Sequence, residues 1–379
     1  MSGARRTDWP LEALLWAAGL LAAAQFGKLS LTLAALGARY PEAGGVLPFA
    51  VSVVGIVGIL LGPVTGGLVT WIGLRRAVLG ALLLGAGLSL VQAAELPLWL
   101  LLVTRAAEGV SHLALVVALP TLMAEAASDR DRPVVMGFWG TFFGVSFALL
   151  ALAAPRLVGL GGPGALYAAH GGAMALMAGV LALRLPRLTR RRAEFDLLGE
   201  VRTIYGDLRL VAPGLIFGWH ALVFIALLTF LPAALGQPWL AVVLPLVSLA
   251  GTFGAGVLAR RFRPARIAAV AFLVNGVLCV AVLALPGAAV GLVLAMFLVI
   301  GVVPGAGFAA IPWLNAAVAQ RARANGALAQ LGNVGTFSGT PLFALALAMG
   351  GGAGLIWLTL AVAVAGFATA TLIGRRYPA

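Results

Sequence analysis

Six ionisable side chains lie far from the ends of long apolar runs. Lys28, the only lysine in the chain, sits inside "AAAQFGKLSLTL" (22–33), flanked by Gln25 and Thr32. Spaced i, i+3 and i+7, the three share one helical face as a polar stripe. Arg105, Glu108 and His112 repeat that spacing further along. An ammonium, a guanidinium and a carboxylate set out in this way can bind an anion or exchange partners with it. They can also hold and release a proton, with His112 one turn from Glu108 as a relay. The other two groups are His170, which reads as a satisfied structural histidine, and His220, which follows Trp219.

What these residues do depends on the solvent around them. Of 379 residues, 62% are hydrophobic and 10% charged, whereas about 25% is usual for soluble domains. Apolar runs of about 18 residues or more recur along the whole chain, each long enough to cross a bilayer as a helix. The runs do not alternate, which disfavours a transmembrane barrel. The net charge of +13 comes from arginines scattered between these runs, a pattern that does not point to nucleic acid. A single cysteine, Cys279, excludes an intramolecular disulfide. The first apolar run continues too far for a cleaved leader and reads as a membrane helix.

Gly, Pro and Arg breaks delimit twelve spans, at about 11–37, 46–70, 77–94, 97–124, 134–156, 163–184, 210–234, 238–259, 267–285, 288–318, 326–349 and 352–374. Twenty-one of the 25 basic residues fall on one side, among them Arg5, Arg6, Arg75, Arg76, Arg130, Arg132 and the cluster Arg260 to Arg266. Only Arg39 and Arg156 fall on the other. The positive-inside rule then makes both termini cytoplasmic. Lys28 and Arg105 lie at matching depth, about nine residues or ~13 Å from the non-cytoplasmic helix ends, so either can meet Glu108. The arginine-rich stretch 185–209 reads as a cytoplasmic linker between six-helix halves 1–184 and 210–379, either an amphipathic segment facing anionic head groups or a solvated tether. Span 4 carries "GVSHLALVVALPTL" and span 10 "GVVPGAGFAAIPWL", with glycine and proline at the same spacing, as an internal repeat requires.

These features resemble the major facilitator superfamily. "GGLVTWIGLRR" from Gly66 is similar to the family's loop motif at Gly66, Gly73 and Arg75, with Thr70 at its acidic position and Trp71 and Leu74 at arginine positions. "GVLARRFRPAR" from Gly256 is a second copy that keeps Arg260, with Ala259 at the acidic position. "TRAAEGV" resembles the Arg-x-x-Gln-Gly motif through Arg105 and Gly109, with Glu108 in place of glutamine. Span 5 has Gly137, Gly140 and Gly144 but lacks the Gly-Pro pair of many drug–proton antiporters. Spans 1, 4 and 5 are also similar to the cyanate and nitroimidazole permease group. The resemblance implies an all-α membrane protein with twelve transmembrane helices in two pseudo-symmetric six-helix bundles. Its central cavity would be lined by spans 1, 4, 7 and 10, which carry five of the six ionisable residues.

Two fixed cations and one acid leave such a cavity at about +1, a balance that a carboxylate completes. The expected function is therefore a secondary transporter moving a small organic anion or carboxylate-bearing solute across a bacterial cytoplasmic (inner) membrane. Substrate contacts are expected from Lys28, Gln25, Thr32, Arg105, His220, Trp219, Trp313 and Asn315, and proton coupling from Glu108 with His112. Asn275, Asn333 and Thr336 read as interhelical hydrogen-bonding residues. One alternative is efflux of neutral or amphipathic compounds, with Lys28 and Glu108 a structural pair. Another is a membrane receptor or scaffold on the same fold. No Walker loop, metal-ligand spacing or nucleophile elbow is present, so no enzyme activity, cofactor or metal is expected. The functional unit is expected to be a monomer.

Overall fold

A computed structural model describes residues 7–94, 96–128, 131–185 and 197–377. Arg5, Arg6, Arg130 and the linker residues 186–196 lie outside the described residues. All regular secondary structure among the described residues is helical. That is the expected outcome for a chain in lipid, where backbone N–H and C=O groups must find partners within their own segment. Among the described residues, ten helices are long and apolar enough to cross a membrane.

The helices that position the candidate site begin with α1 (Trp9–Arg39). Asp8 caps it, its carboxylate accepting from the Leu11 N–H at 3.1 Å, and Pro10 follows in the first turn. A short α2 (Phe49–Ser52) and α3 (Gly55–Ile72) lead to α4 (Leu74–Gln92), which starts at Gly73. Arg75 donates to the carbonyls of Leu185 (3.1 Å) and Ala182 (2.8 Å). This motif arginine thus satisfies free carbonyls where a neighbouring helix ends. Next come α5 (Leu98–Ala126), α6 (Arg132–Trp139) and the 43-residue α7 (Phe142–Arg184).

Later in the chain lie α8 (Leu197–Gly206), α9 (Leu208–Ala234), α10 (Leu240–Leu258), α11 (Pro264–Ala284), α12 (Ala289–Leu314) and the 59-residue α13 (Val318–Arg376). At 1.5 Å per residue an unbroken α13 would be about 88 Å long, far beyond the ~30 Å hydrocarbon core. Its backbone leaves helical geometry at Gly351 (φ 56°), and α7 does so at Gly161 and Gly162, the latter at φ 64°. Those left-handed values suit glycine. The breaks fall where the sequence separates span 5 from 6 and span 11 from 12.

Two compact units emerge: Met1–Ala43 with Val64–Phe195, and Gly44–Pro63 with Asp196–Ala379. In the first, a core of buried Ala, Leu, Val and Met, including Leu15, Leu82, Leu119 and Met174, joins α1, α4, α5 and α7. Residues 44–63, which the sequence reading puts in the half 1–184, group with the second unit. There Gln330 donates to the Ile59 carbonyl at 2.5 Å, and Gly58 leaves room for the Asn333 side chain. The described part of the linker, α8, also packs in the second unit, through buried Ile204 against Val211 and Ala327. Arg323 grips Glu200 of α8 with two bonds of 2.8 and 2.9 Å.

Candidate functional site

Within the first unit, α1, α4, α5 and α7 converge on one carboxylate. Lys28 Nζ donates to Glu108 Oε1 at 2.8 Å. Arg105, one turn earlier on α5, donates to Oε2, and Gln92 of α4 donates to that same oxygen at 3.0 Å. Lys28, Arg105 and Glu108 have no solvent exposure. Two cations and one acid are thus held together away from water, in a medium that strengthens every charge interaction among them.

A shell of neutral groups fixes this triad. Lys28 also donates to Ser89 Oγ at 2.6 Å, which lies 2.8 Å from His170 Nδ1. The other nitrogen of His170 lies 3.0 Å from the Leu21 carbonyl, and a carbonyl can only accept. His170 therefore carries its proton on Nε2, Ser89 donates to Nδ1, and a directed chain runs from Lys28 through Ser89 to His170. Thr32 donates to its own helix at the Lys28 carbonyl (2.8 Å), so the 2.6 Å contact with Tyr167 is donated by the phenol. Tyr167 in turn places its ring 5.5 Å from Lys28 Nζ, within cation–π range. Gln25 donates to Ser111 Oγ at 2.9 Å, and Ser111 donates to the Ala81 carbonyl at 2.7 Å.

The last contact requires Gly85 of α4. A Cβ there would lie 2.5 Å from Met174 Cε, 2.6 Å from Ser111 Oγ and 2.8 Å from Gln25 Nε2. Two acceptors beside the triad, Gln25 Oε1 and Gln92 Oε1, are buried and have no donor among the described residues. A buried acceptor of this kind takes a hydrogen bond from water or from another bound group.

The side-chain partners of the α1 stripe thus lie on α4, α5 and α7. His112, the expected relay, donates from Nδ1 to the Ala22 carbonyl at 3.0 Å and meets the Phe26 ring edge-on at 4.9 Å. It makes no direct bond to Glu108, whereas His170 reaches the triad through Ser89.

A match to the Major Facilitator Superfamily covers residues 15–340, most of the chain. The chain belongs to the Major Facilitator Superfamily. No curated protein matches it in sequence. Membership makes it a multi-pass membrane protein and a secondary transporter, not an enzyme. In this superfamily member the glutamate that replaces the motif's glutamine is the residue that binds Lys28.

The remaining expected contacts lie in the second unit. Trp219 donates to Thr369 Oγ1 at 3.0 Å, and both Trp219 and Trp313 pack on the core around Ile216, Phe272 and Val303. Asn315, at the end of α12, donates to the Ile311 and Arg209 carbonyls, each at 3.1 Å, and so closes that helix end against α9. His220 donates to the Ile300 carbonyl at 3.1 Å and stacks on Phe224. Its ring borders a cavity of about 10 Å³ that also touches Thr359 and Asn275, whose Oδ1 has no partner among the described residues. The volume suits one water molecule.

Sequence reasoning missed Ser89, Gln92, Ser111 and Tyr167 as members of the site, and took His170 as structural only. A signal existed for two of them. Ser89 and Gln92 are spaced i, i+3 in an otherwise apolar helix, the same pattern that singled out Arg105 and Glu108.

Proposed function

We propose that this transporter moves a small organic anion or carboxylate-bearing solute, and that Lys28 and Arg105 recognise its charge. The observation that carries the reading is the buried triad itself, in which two cations share one carboxylate and leave an excess of about one positive charge. An arriving carboxylate balances that excess, and the free amide oxygens of Gln25 and Gln92 accept from its hydroxyl groups or its hydration. Gln25 and Thr32 position Lys28, while Trp219, His220, Trp313 and Asn315 serve the second half of the transport path.

Coupling to protons fits the same geometry. Glu108 accepts from Lys28, Arg105 and Gln92 in this conformation. A proton loads onto it once the substrate has drawn Lys28 away. His112 lies one turn along α5, and the chain from Lys28 through Ser89 to His170 is a second route for charge. In the full reading, the breaks at Gly162 and Gly351 turn ten helices into twelve spans. These form two six-helix bundles by chain order, 1–184 and 210–379, with residues 44–63 of the first grouped into the second compact unit, and they alternate access as a monomer. The arginine-rich side and both termini face the cytoplasm of a bacterial cell.

A second reading has its own support. Complete burial and direct pairing of Lys28 with Glu108 also suit a structural ion pair in a transporter that expels neutral or amphipathic compounds. Counterflow in proteoliposomes separates the two. Carboxylate counterflow collapses in Lys28→Ala if the ammonium recognises substrate, and neutral-compound export survives that change if the pair is structural. Glu108→Gln is expected to lose its response to a pH gradient, and full retention of that response would remove Glu108 from proton coupling.

A further inference from the structure

After Asp207 the chain contains nine arginines and not one aspartate or glutamate. Four of these arginines, Arg261, Arg263, Arg266 and Arg375, surround a groove of about 500 Å³ between the start of α11 and the end of α13. All four are exposed, and none has an ion pair or side-chain hydrogen bond among the described residues. The groove floor is apolar and made of small residues, Ala265 and Ala269 on α11 facing Ala370 and Gly374 on α13.

This arrangement is unfavourable without a ligand. Guanidinium groups crowded around one groove repel one another, and three of them sit at the start of α11, where the helix dipole already disfavours cations. Of the acids described in the second unit, Glu200 is committed to Arg323 and Asp207 caps α9. Among the described residues of this unit, then, no acid is left to compensate these arginines. An apolar floor next to a ring of arginines, at the ends of membrane-length helices, has the two-part character of a phospholipid, with a phosphate above an acyl chain.

We propose that the α11–α13 groove is a binding site for an anionic phospholipid, its phosphodiester held by Arg263, Arg266 and Arg375 and one acyl chain lying over Ala269 and Gly374. The site is separate from the Lys28 cluster, and its assignment does not depend on what the transporter carries.

The test uses the full chain purified in detergent, incubated with phosphatidylglycerol or with phosphatidylcholine of the same acyl chains, and bound lipid counted by native mass spectrometry. The protein should retain phosphatidylglycerol in preference to phosphatidylcholine. Each neutralised arginine should weaken retention about fivefold, so the triple variant Arg263→Gln, Arg266→Gln, Arg375→Gln should lose it almost completely. Arg260→Gln, in the same loop but not lining the groove, should not differ from the parent. Gly374→Leu keeps all four charges and fills the floor, where an added Cβ would already lie 3.7 Å from Ala265. It should also release the lipid. Equal retention of the two lipids, or unchanged retention in either the triple variant or Gly374→Leu, would overturn the assignment. Displacement by millimolar inorganic phosphate as readily as by excess phosphatidylglycerol would equally overturn it, in favour of a free-phosphate site.

Discussion

Glu108→Gln restores the residue that the superfamily motif carries at this position, yet it should destabilise this protein markedly. The change keeps the shape of the side chain and removes the one acid that Lys28 and Arg105 share. At 2.8 Å and an effective dielectric of ~20, the Lys28–Glu108 attraction alone amounts to about 6 kcal/mol before desolvation is set against it. Removing the acid leaves two buried cations with only neutral partners, a loss of about 3–5 kcal/mol. Lys28→Met acts differently, because Arg105 and Glu108 remain balanced and an ammonium no longer has to be desolvated. Its net cost should stay within about 1 kcal/mol. In thermal unfolding of the purified variants, Glu108→Gln should lower the transition by roughly 5–15 °C and Lys28→Met by at most about 4 °C. Combining the two substitutions should recover part of the loss, since one cation is then left unpaired instead of two. Equal losses for the two single variants, or no loss for Glu108→Gln, would refute the charge accounting.

Three further outcomes follow from particular contacts. Gly85→Val should cost about 1–3 kcal/mol and break the Gln25–Ser111 bond, whereas Gly80→Ala on the same helix, where a Cβ meets nothing within 4 Å, should be close to neutral in the same unfolding assay. Glu12 is buried and neither carboxylate oxygen has a partner among the described residues, so Glu12→Met should raise stability by about 1–3 kcal/mol, and a lower transition would show that the carboxyl has a favourable role. Arg323 holds the Glu200 carboxyl below its ordinary value through their two hydrogen bonds. The link is therefore intact above the usual carboxylate range of about 4.3 and is lost as pH falls through the depressed folded value. Amide exchange in α8 should quicken over that acidic interval, by no more than the ~1 kcal/mol expected of an exposed pair, and Arg323→Ala should abolish the pH dependence.

The charged centre of the site was legible because lipid makes ionisable groups costly. Lys28, Arg105 and Glu108 stand out from their apolar surroundings, and their depths already allowed them to meet. Helix breaks were legible for a similar reason, since runs such as "GGPG" and "GGGAG" cannot continue a helix easily. The neutral shell was only partly so. Ser89 and Gln92 show as an i, i+3 polar pair in an apolar helix, but their roles and that of Tyr167 depend on α4 and α7 packing against α1, which periodicity within one helix does not encode. The grouping of residues 44–63 with the second unit was hidden likewise. Gly55, Gly58 and Gly62 announce a close helix neighbour without saying which one.

Recognition of an anion by the excess positive charge around Lys28 can be read from thermal-shift binding of a panel of small carboxylates and their neutral amide counterparts to the parent protein and to Lys28→Ala. At least one carboxylate should stabilise the parent, its amide should not, and the effect should vanish in Lys28→Ala. Equal stabilisation by carboxylate and amide, or stabilisation that persists in Lys28→Ala, would contradict it.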